Sequence, residues 1–114
     1  MDSILWFKSC SYNNKNLVGG KCASLGELHY LARMLNFDIA DGFAITTKMY
    51  DDFIERNNLQ SDIESLLESV DINNLEQLEN ISNQLINLVS QGSFTHDEET
   101  LILKTYNELC ELYR

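Results

Sequence analysis

The chain has 114 residues, 44% of them hydrophobic, which is the size and composition of one soluble globular domain with a single core. Its formal net charge is −10. Because binding to nucleic acid needs clustered lysine and arginine, this charge argues against nucleic acid as a partner. No stretch approaches the roughly 18 apolar residues of a membrane span, so no membrane insertion is expected.

The cysteines indicate a reduced, cytoplasmic chain. Cys10, Cys22 and Cys110 are an odd number of thiols without C-x-x-C spacing, which fits neither a disulfide framework nor a zinc site. The N-terminus also lacks the apolar stretch of a secretory signal.

The charge is unevenly distributed along the chain. Residues 1–33 contain four basic and two acidic side chains, a net charge of +2, whereas residues 34–114 carry −12. The acidic part is typical of solvated helix faces. The N-terminal third is therefore the only region suited to binding an anion.

The N-terminal half of the sequence alternates between short apolar runs and helical patterns. In chain order it predicts a strand, a polar loop, a helix, a break, a second strand and a second helix, over residues 3–8, 9–16, 20–35, 36–42, 43–46 and 48–57. The first helix should bury a stripe of Leu25, Leu28, Leu31, Ala32 and Leu35. Thr46 or Thr47 can cap the second helix, with Asp51 and Asp52 near its start.

The C-terminal half predicts three further helices from their start signals. Capping-box spacing recurs three times, at Ser61 with Glu64, Asn74 with Gln77, and Thr95 with Glu98. Gly92 stands where a helix C-cap is expected. The sequence therefore predicts one helix-rich α/β (α+β) domain over residues 1–114, with two or three short N-terminal strands and about five helices.

The stretch "VGGKCAS", residues 18–24, has the parts of a phosphate site. Gly19 and Gly20 precede a helix whose first N–H groups and dipole attract anions, and Lys21 adds a full positive charge. The stretch is not a Walker A loop, because Lys15 and Cys22 stand where that motif needs glycine and Ser or Thr. On this local pattern alone, a purely structural turn between loop and helix remains open.

A second block of sequence sharpens the interpretation. "LVGGKCASLGEL" followed by "DGFAITTKMYDDF" resembles the N-terminal nucleotide-binding domain of the phosphoenolpyruvate synthase and pyruvate phosphate dikinase family, and the resemblance covers almost the whole chain. It implies the first subdomain of an ATP-grasp-like fold, with Lys21 contacting the nucleotide phosphates and Gly19 and Gly20 shaping the loop. Gly42 would allow a backbone turn, and Phe43 and Ile45 would enter the core. The proline that the family places before "GF" is missing here.

The same resemblance implies ATP as the ligand, accompanied by Mg²⁺ whose ligands are not in this chain. In the family an arginine and acidic metal ligands further along complete the nucleotide site, and a second chain could supply them. We therefore assign no catalytic and no metal-binding residue, and expect no phosphotransferase (kinase) activity from this chain alone. Two alternatives remain: a non-catalytic interaction module that keeps the fold, and a structural domain without a ligand.

Both histidines are expected to be structural. His29 should lie at the edge of the buried stripe of the first helix, and His96 should be exposed in the first turn of the last helix. Near the C-terminus, Tyr106, Leu112 and Tyr113 could pack inside or form an apolar patch for a partner.

Overall fold

The computed structural model describes residues 2–114. These residues form two compact units, one from residues 2–50 and 96–114 and the other from residues 51–95. The described chain contains two strands and five helices: β1 (Ile4–Trp6), α1 (Lys15–Leu35), β2 (Phe43–Ile45), α2 (Thr47–Arg56), α3 (Gln60–Glu68), α4 (Leu75–Ser90) and α5 (His96–Leu112). The predicted helix-rich fold with short N-terminal strands is confirmed at this level.

The two strands form a small antiparallel sheet. Trp6 pairs with Phe43 in the ladder, and their rings meet edge to face with centroids 5.7 Å apart. Each strand is three residues long, shorter than predicted. Beyond the ladder, the N–H of Thr46 donates to the Ser3 carbonyl at 3.0 Å. The sheet thus joins the two short apolar runs on either side of α1.

The connection from β1 to α1 is more regular than the predicted loop. It contains two 3-10 helices, Phe7–Ser9 and Tyr12–Asn14. The second is closed by a reciprocal cap, in which the Ser11 hydroxyl accepts from the Asn13 N–H and the Asn14 side chain accepts from the Ser11 N–H. This cap fixes the backbone of residues 11–14 immediately before α1.

Helix α1 buries a face of small residues. Its buried positions are Ala23, Gly26, His29 and Ala32. The predicted leucine stripe is wrong on this point, because Leu28, Leu31 and Leu35 are exposed by 43%, 43% and 68%. His29 is only 8% exposed, so it lies inside the unit and not at the edge of the apolar stripe. Small side chains let the preceding 3-10 segments approach the helix closely, and that packing overrides the leucine pattern.

Two glycines are explained by close packing and not by unusual backbone angles. A Cβ on Gly42 would lie 2.4 Å from the Phe7 ring, and a Cβ on Gly92 would lie 2.4 Å from the Phe53 ring. Both glycines have ordinary φ angles. Gly92 follows the C-cap residue Gln91, but it is not the left-handed cap that its position suggested.

The unit of residues 51–95 has its own core. Phe53, Ile54 and Leu59 are buried there, and Ile63, Leu88 and Val89 pack against them. The rings of Phe53 and Phe94 meet with centroids 5.2 Å apart. These contacts join α2, α3 and α4 through their apolar sides.

The predicted helix starts had mixed outcomes. The Asn74 side chain caps α4 by accepting from the Gln77 N–H at 3.1 Å, as predicted. Ser61 does not cap α3, because that helix already begins at Gln60 after Leu59. Asp51 and Asp52 lie beyond the first turn of α2, which contains no acidic residue.

None of the helices in residues 2–114 combines the length and apolar character that crossing a bilayer requires.

Candidate functional site

Residues 15–21, here called the glycine loop, contain a break in the helical backbone of α1. Gly19 has φ 82° and ψ 169°, whereas the helix on both sides is regular. This is a region of backbone space that essentially only glycine occupies. Lys15 to Val18 therefore form a short helical turn, and a new helix begins at Gly20.

A helix that begins at Gly20 has an N-terminal end whose electrostatics suit an anion. The first N–H groups of a helix lack partners within it, and its dipole places partial positive charge there. Gly20 is exposed and carries no side chain that would cover these groups. The predicted start of the main helix, near residue 20, is therefore confirmed by the break at Gly19.

Two lysines flank this helix start. Lys21 is exposed in the first turn, as the sequence analysis required. Lys15 is the second: its Cε lies 3.7 Å from the position that a Cβ on Gly20 would occupy. Neither lysine side chain makes an ion pair or hydrogen bond to another of residues 2–114. Both ammonium groups are thus available to an anion.

The sequence pattern does not predict Lys15 as part of the phosphate site. It places Lys15 in the polar loop of residues 9–16, at a position where the Walker A motif needs glycine. Its approach to Gly20 depends on the helical turn of residues 15–18, which no periodic signal in the sequence announces. The remaining clue was charge, since residues 3–26 contain Lys8, Lys15 and Lys21 but no carboxylate.

The segments around the glycine loop hold it from both sides. The Tyr12 N–H donates to the Glu27 carboxylate at 3.1 Å, and the Tyr12 hydroxyl lies 3.5 Å from that of Ser24. From the second sequence block, the Thr47 hydroxyl donates to the Asn16 carbonyl at 3.1 Å. The two blocks quoted above are therefore in contact at the glycine loop.

The remaining residues of the second block lie in other environments. The Thr46 hydroxyl is buried and donates to the Asp2 carbonyl at 2.8 Å. Ala44 is buried, whereas Ile45 is 49% exposed, so the expectation that Ile45 enters the core is wrong. In a strand that alternates its faces, only one of two neighbouring residues can point inward.

His29 belongs to a structural cluster away from the glycine loop. Its Nε2 lies 3.2 Å from the Ala40 carbonyl oxygen and 3.8 Å from Asp41 Oδ1. The Asp41 N–H in turn donates to the Tyr113 hydroxyl. These contacts fasten residues 40–42 to α1 and to the end of α5, in the segment where the expected proline is missing.

The other candidate groups do not gather into a site within residues 2–114. His96 is exposed at the start of α5, as predicted. Tyr106, Leu112 and Tyr113 are each more than half exposed. No group of three or more His, Cys, Asp or Glu residues in this range could hold a metal ion.

Comparison with known proteins gives this arrangement a family. Residues 15–114 match the family model of the pyruvate phosphate dikinase AMP/ATP-binding domain. The phosphoenolpyruvate synthase of Helicobacter pylori is 34% identical over 113 residues, and that of Aquifex aeolicus is 32% identical over 111 residues. A probable phosphoenolpyruvate synthase of Methanothermobacter thermautotrophicus is 29% identical over 108 residues.

These alignments cover 99%, 97% and 95% of this chain but only 14%, 13% and 15% of the respective relatives. The chain thus spans about one-seventh of their length. The match begins at Lys15, the first residue of the glycine loop, and includes all five helices. The chain belongs to the family of the pyruvate phosphate dikinase AMP/ATP-binding domain, which it shares with the phosphoenolpyruvate synthases.

Proposed function

We propose that the chain binds ATP by its phosphates at the glycine loop, as the first subdomain of an ATP-grasp-like nucleotide site. The observation that carries this proposal is the helix start at Gly20, created by the break at Gly19 and flanked by the free ammonium groups of Lys15 and Lys21. Backbone N–H groups and lysines together form the usual recognition surface for phosphate. The family's nucleotide-binding domain supplies the class of ligand.

Lys21 has the central role in this proposal. It lies in the first turn of the new helix, where its charge adds to the helix dipole. Lys15 approaches from the preceding turn, across Gly20, and gives the phosphates a second cation. Because Gly20 has no side chain, a phosphate can approach the backbone between the two lysines.

The magnesium ion that accompanies ATP would be held elsewhere. Residues 3–26 contain no carboxylate, so the glycine loop offers hydrogen-bond donors for phosphate but no acidic metal ligand. We propose that these ligands come from a part of the nucleotide site outside this chain, on a second chain or on further sequence. We also propose that the chain works in the cytoplasm, since its three cysteines are free thiols.

The test is a calorimetric titration of the 114-residue protein with ATP. Lys21→Ala should weaken the affinity by about tenfold or more, the loss of one charge-assisted phosphate contact. The matched control is Lys104→Ala, which removes an exposed lysine from α5 and should leave the affinity unchanged. Equal affinity of Lys21→Ala and the wild-type protein would contradict the assignment of this loop.

The alternative of a non-catalytic interaction module predicts a different outcome. In that case neither ATP nor ADP binds at millimolar concentration, and both lysine variants behave like the wild-type protein. The titration therefore separates a nucleotide site from a fold that has been retained for another purpose.

A further inference from the structure

Two of the three cysteines, Cys10 and Cys22, lie outside the proposed phosphate contacts. Cys22 is in α1, and Cys10 packs against that helix from the segment before it. Cys10 packs directly on Gly26: a Cβ on Gly26 would lie 1.9 Å from the Cys10 carbonyl oxygen and 2.8 Å from the Cys10 Cβ. Cys10 therefore occupies the space that a side chain at position 26 would fill. Cys10 is 4% exposed. Its thiol donates a hydrogen bond to the Trp6 carbonyl oxygen, with the sulfur 3.4 Å from that oxygen.

Cys22 stands one helical turn before Gly26 on the same face. In a helix, side chains four residues apart have Cβ atoms about 5–6 Å from each other. Since the Cys10 Cβ is next to position 26, the Cβ atoms of the two cysteines lie within about 9 Å of each other. Cys22 is partly exposed, whereas Cys10 is buried.

The electrostatics of Cys10 agree with this placement. Burial raises the pKa of the Cys10 thiol, and the neighbouring charges of Cys22 and Asp41 raise that pKa further.

We propose that Cys10 and Cys22 form a redox-active thiol pair, which a low-molecular-weight disulfide such as glutathione disulfide converts into an intramolecular disulfide. A disulfide needs Cβ atoms about 3.8 Å apart, so the proposal includes a movement of the segment before α1 toward Cys22. Cys110 is exposed near the end of α5 and takes no part in the pair.

The chemistry has two steps with a defined order. The accessible Cys22 thiolate attacks one sulfur of glutathione disulfide, forming a mixed disulfide and releasing one glutathione thiolate. Cys10 then gives its proton to the released glutathione thiolate and attacks the Cys22 sulfur, releasing the second glutathione as a thiolate. Two protein thiols are oxidised, and one disulfide is reduced to two thiols.

The position of the pair gives the bond a consequence for the glycine loop. A Cys10–Cys22 disulfide would close a ring that contains Lys15, Gly19, Gly20 and Lys21. Oxidation of the two cysteines would thus change the geometry of the glycine loop. This consequence rests on the proposed nucleotide site, whereas the disulfide itself does not.

The experiment uses the full chain with Cys110→Ser, so that only the pair can react. After incubation with glutathione disulfide, intact-mass spectrometry should show the loss of two hydrogen atoms, and peptide mapping should link Cys10 to Cys22. Adding Cys10→Ala should stop the reaction at a mixed disulfide on Cys22. Adding Cys22→Ser should leave the buried Cys10 unmodified.

Two results would overturn the proposal. One is a Cys110→Ser protein that keeps both thiols free or accumulates the mixed disulfide without resolving it. The other is a disulfide that links two chains. Because the measurement involves no nucleotide, its outcome is independent of ATP binding.

Discussion

At the scale of single residues, the glycines of this chain act in two different ways. Gly19 is needed for its positive φ, with open space around it, whereas Gly26 and Gly42 have ordinary φ angles and are needed for close contact. Gly26 brings α1 against the Cys10 backbone, and Gly42 lies on the Phe7 ring. The glycine loop and its support thus depend on two separate physical properties of the same residue type.

Gly26→Ala should destabilise the fold by about 1–3 kcal/mol, the usual cost of overpacking, despite the better helix propensity of alanine. The new Cβ would collide with the Cys10 carbonyl, a backbone atom that cannot rotate away. Gly20→Ala is the control in the same helix, because a Cβ there meets only Lys15 at 3.7 Å. Urea unfolding measures both; equal stability of the two variants would refute the contact.

The buried thiol of Cys10 predicts a pH dependence of stability. Its pKa is higher in the folded than in the unfolded chain, so the unfolded chain loses this proton first as the pH rises. The stabilisation is complete below the ordinary thiol pKa of about 8.5 and declines above it. Under reducing conditions, wild-type protein should lose stability between about pH 8 and 10 more steeply than Cys10→Ala. Parallel urea-unfolding curves across that range would contradict the burial effect.

At the scale of elements, local signals predicted helices better than they predicted helix ends and buried faces. Asn74 caps α4 as its spacing with Gln77 indicates, but the same spacing at Ser61 and Glu64 is coincidental. There the chain turns through Asn58 at φ 55° and buries Leu59, so α3 starts earlier than the motif suggests. The burial of a residue such as Leu59 sets this helix boundary, and no local signal in the sequence marks that burial.

The two capping motifs can be compared directly by mutation. Asn74→Ala should cost about 0.5–2 kcal/mol, because the Gln77 N–H loses its acceptor. Ser61→Ala should be neutral or slightly stabilising, since Ser61 is inside α3 and alanine has the higher helix propensity. Thermal or urea unfolding measures the difference, and a loss in Ser61→Ala as large as that in Asn74→Ala would contradict the distinction between the two motifs.

The break in α1 gives an element-scale prediction for binding. Gly19→Ala puts a side chain where φ is 82°, a strain of about 1–3 kcal/mol that the backbone can relieve by closing the break. The proposed phosphate site would then lose its helix start, and ATP affinity should fall about tenfold, or roughly 1.4 kcal/mol. Lys104→Ala in α5 is the control and should keep the wild-type affinity in the same calorimetric titration. Wild-type affinity in Gly19→Ala would show that binding does not depend on the break.

At the scale of the whole molecule, the sequence predicted membership of the family more reliably than it predicted the core. The two motif blocks identified the domain from their local residue order, and the structure places Thr47 of the second block against Asn16, just before the first. Lys15 and the small-residue face of α1 were missed because they depend on the 3-10 segments packing onto the helix. The ATP-grasp-like assembly and the single domain of residues 1–114 remain predictions.

The whole chain also sets a limit on chemistry. Phosphoryl transfer depends on cations and metal ions that neutralise charge around the transferred group, and on residues that position the acceptor. The glycine loop offers Lys15 and Lys21, and no cluster of three metal-ligating side chains occurs within residues 2–114. The relatives that carry the enzyme names are about seven times longer. We therefore expect the purified chain to bind ATP without transferring its phosphate.

A coupled assay for phosphoenolpyruvate formation from ATP and pyruvate measures this expectation, with phosphate release as a second readout. Wild-type protein and Lys21→Ala should give the same background rate, although only the wild-type protein binds ATP tightly in calorimetry. Because the two proteins differ at one side chain, any contaminating enzyme contributes equally to both. A rate above background that disappears in Lys21→Ala would show that these 114 residues hold a complete catalytic site. Binding without turnover would instead assign the missing cations and metal ligands to the rest of the nucleotide site.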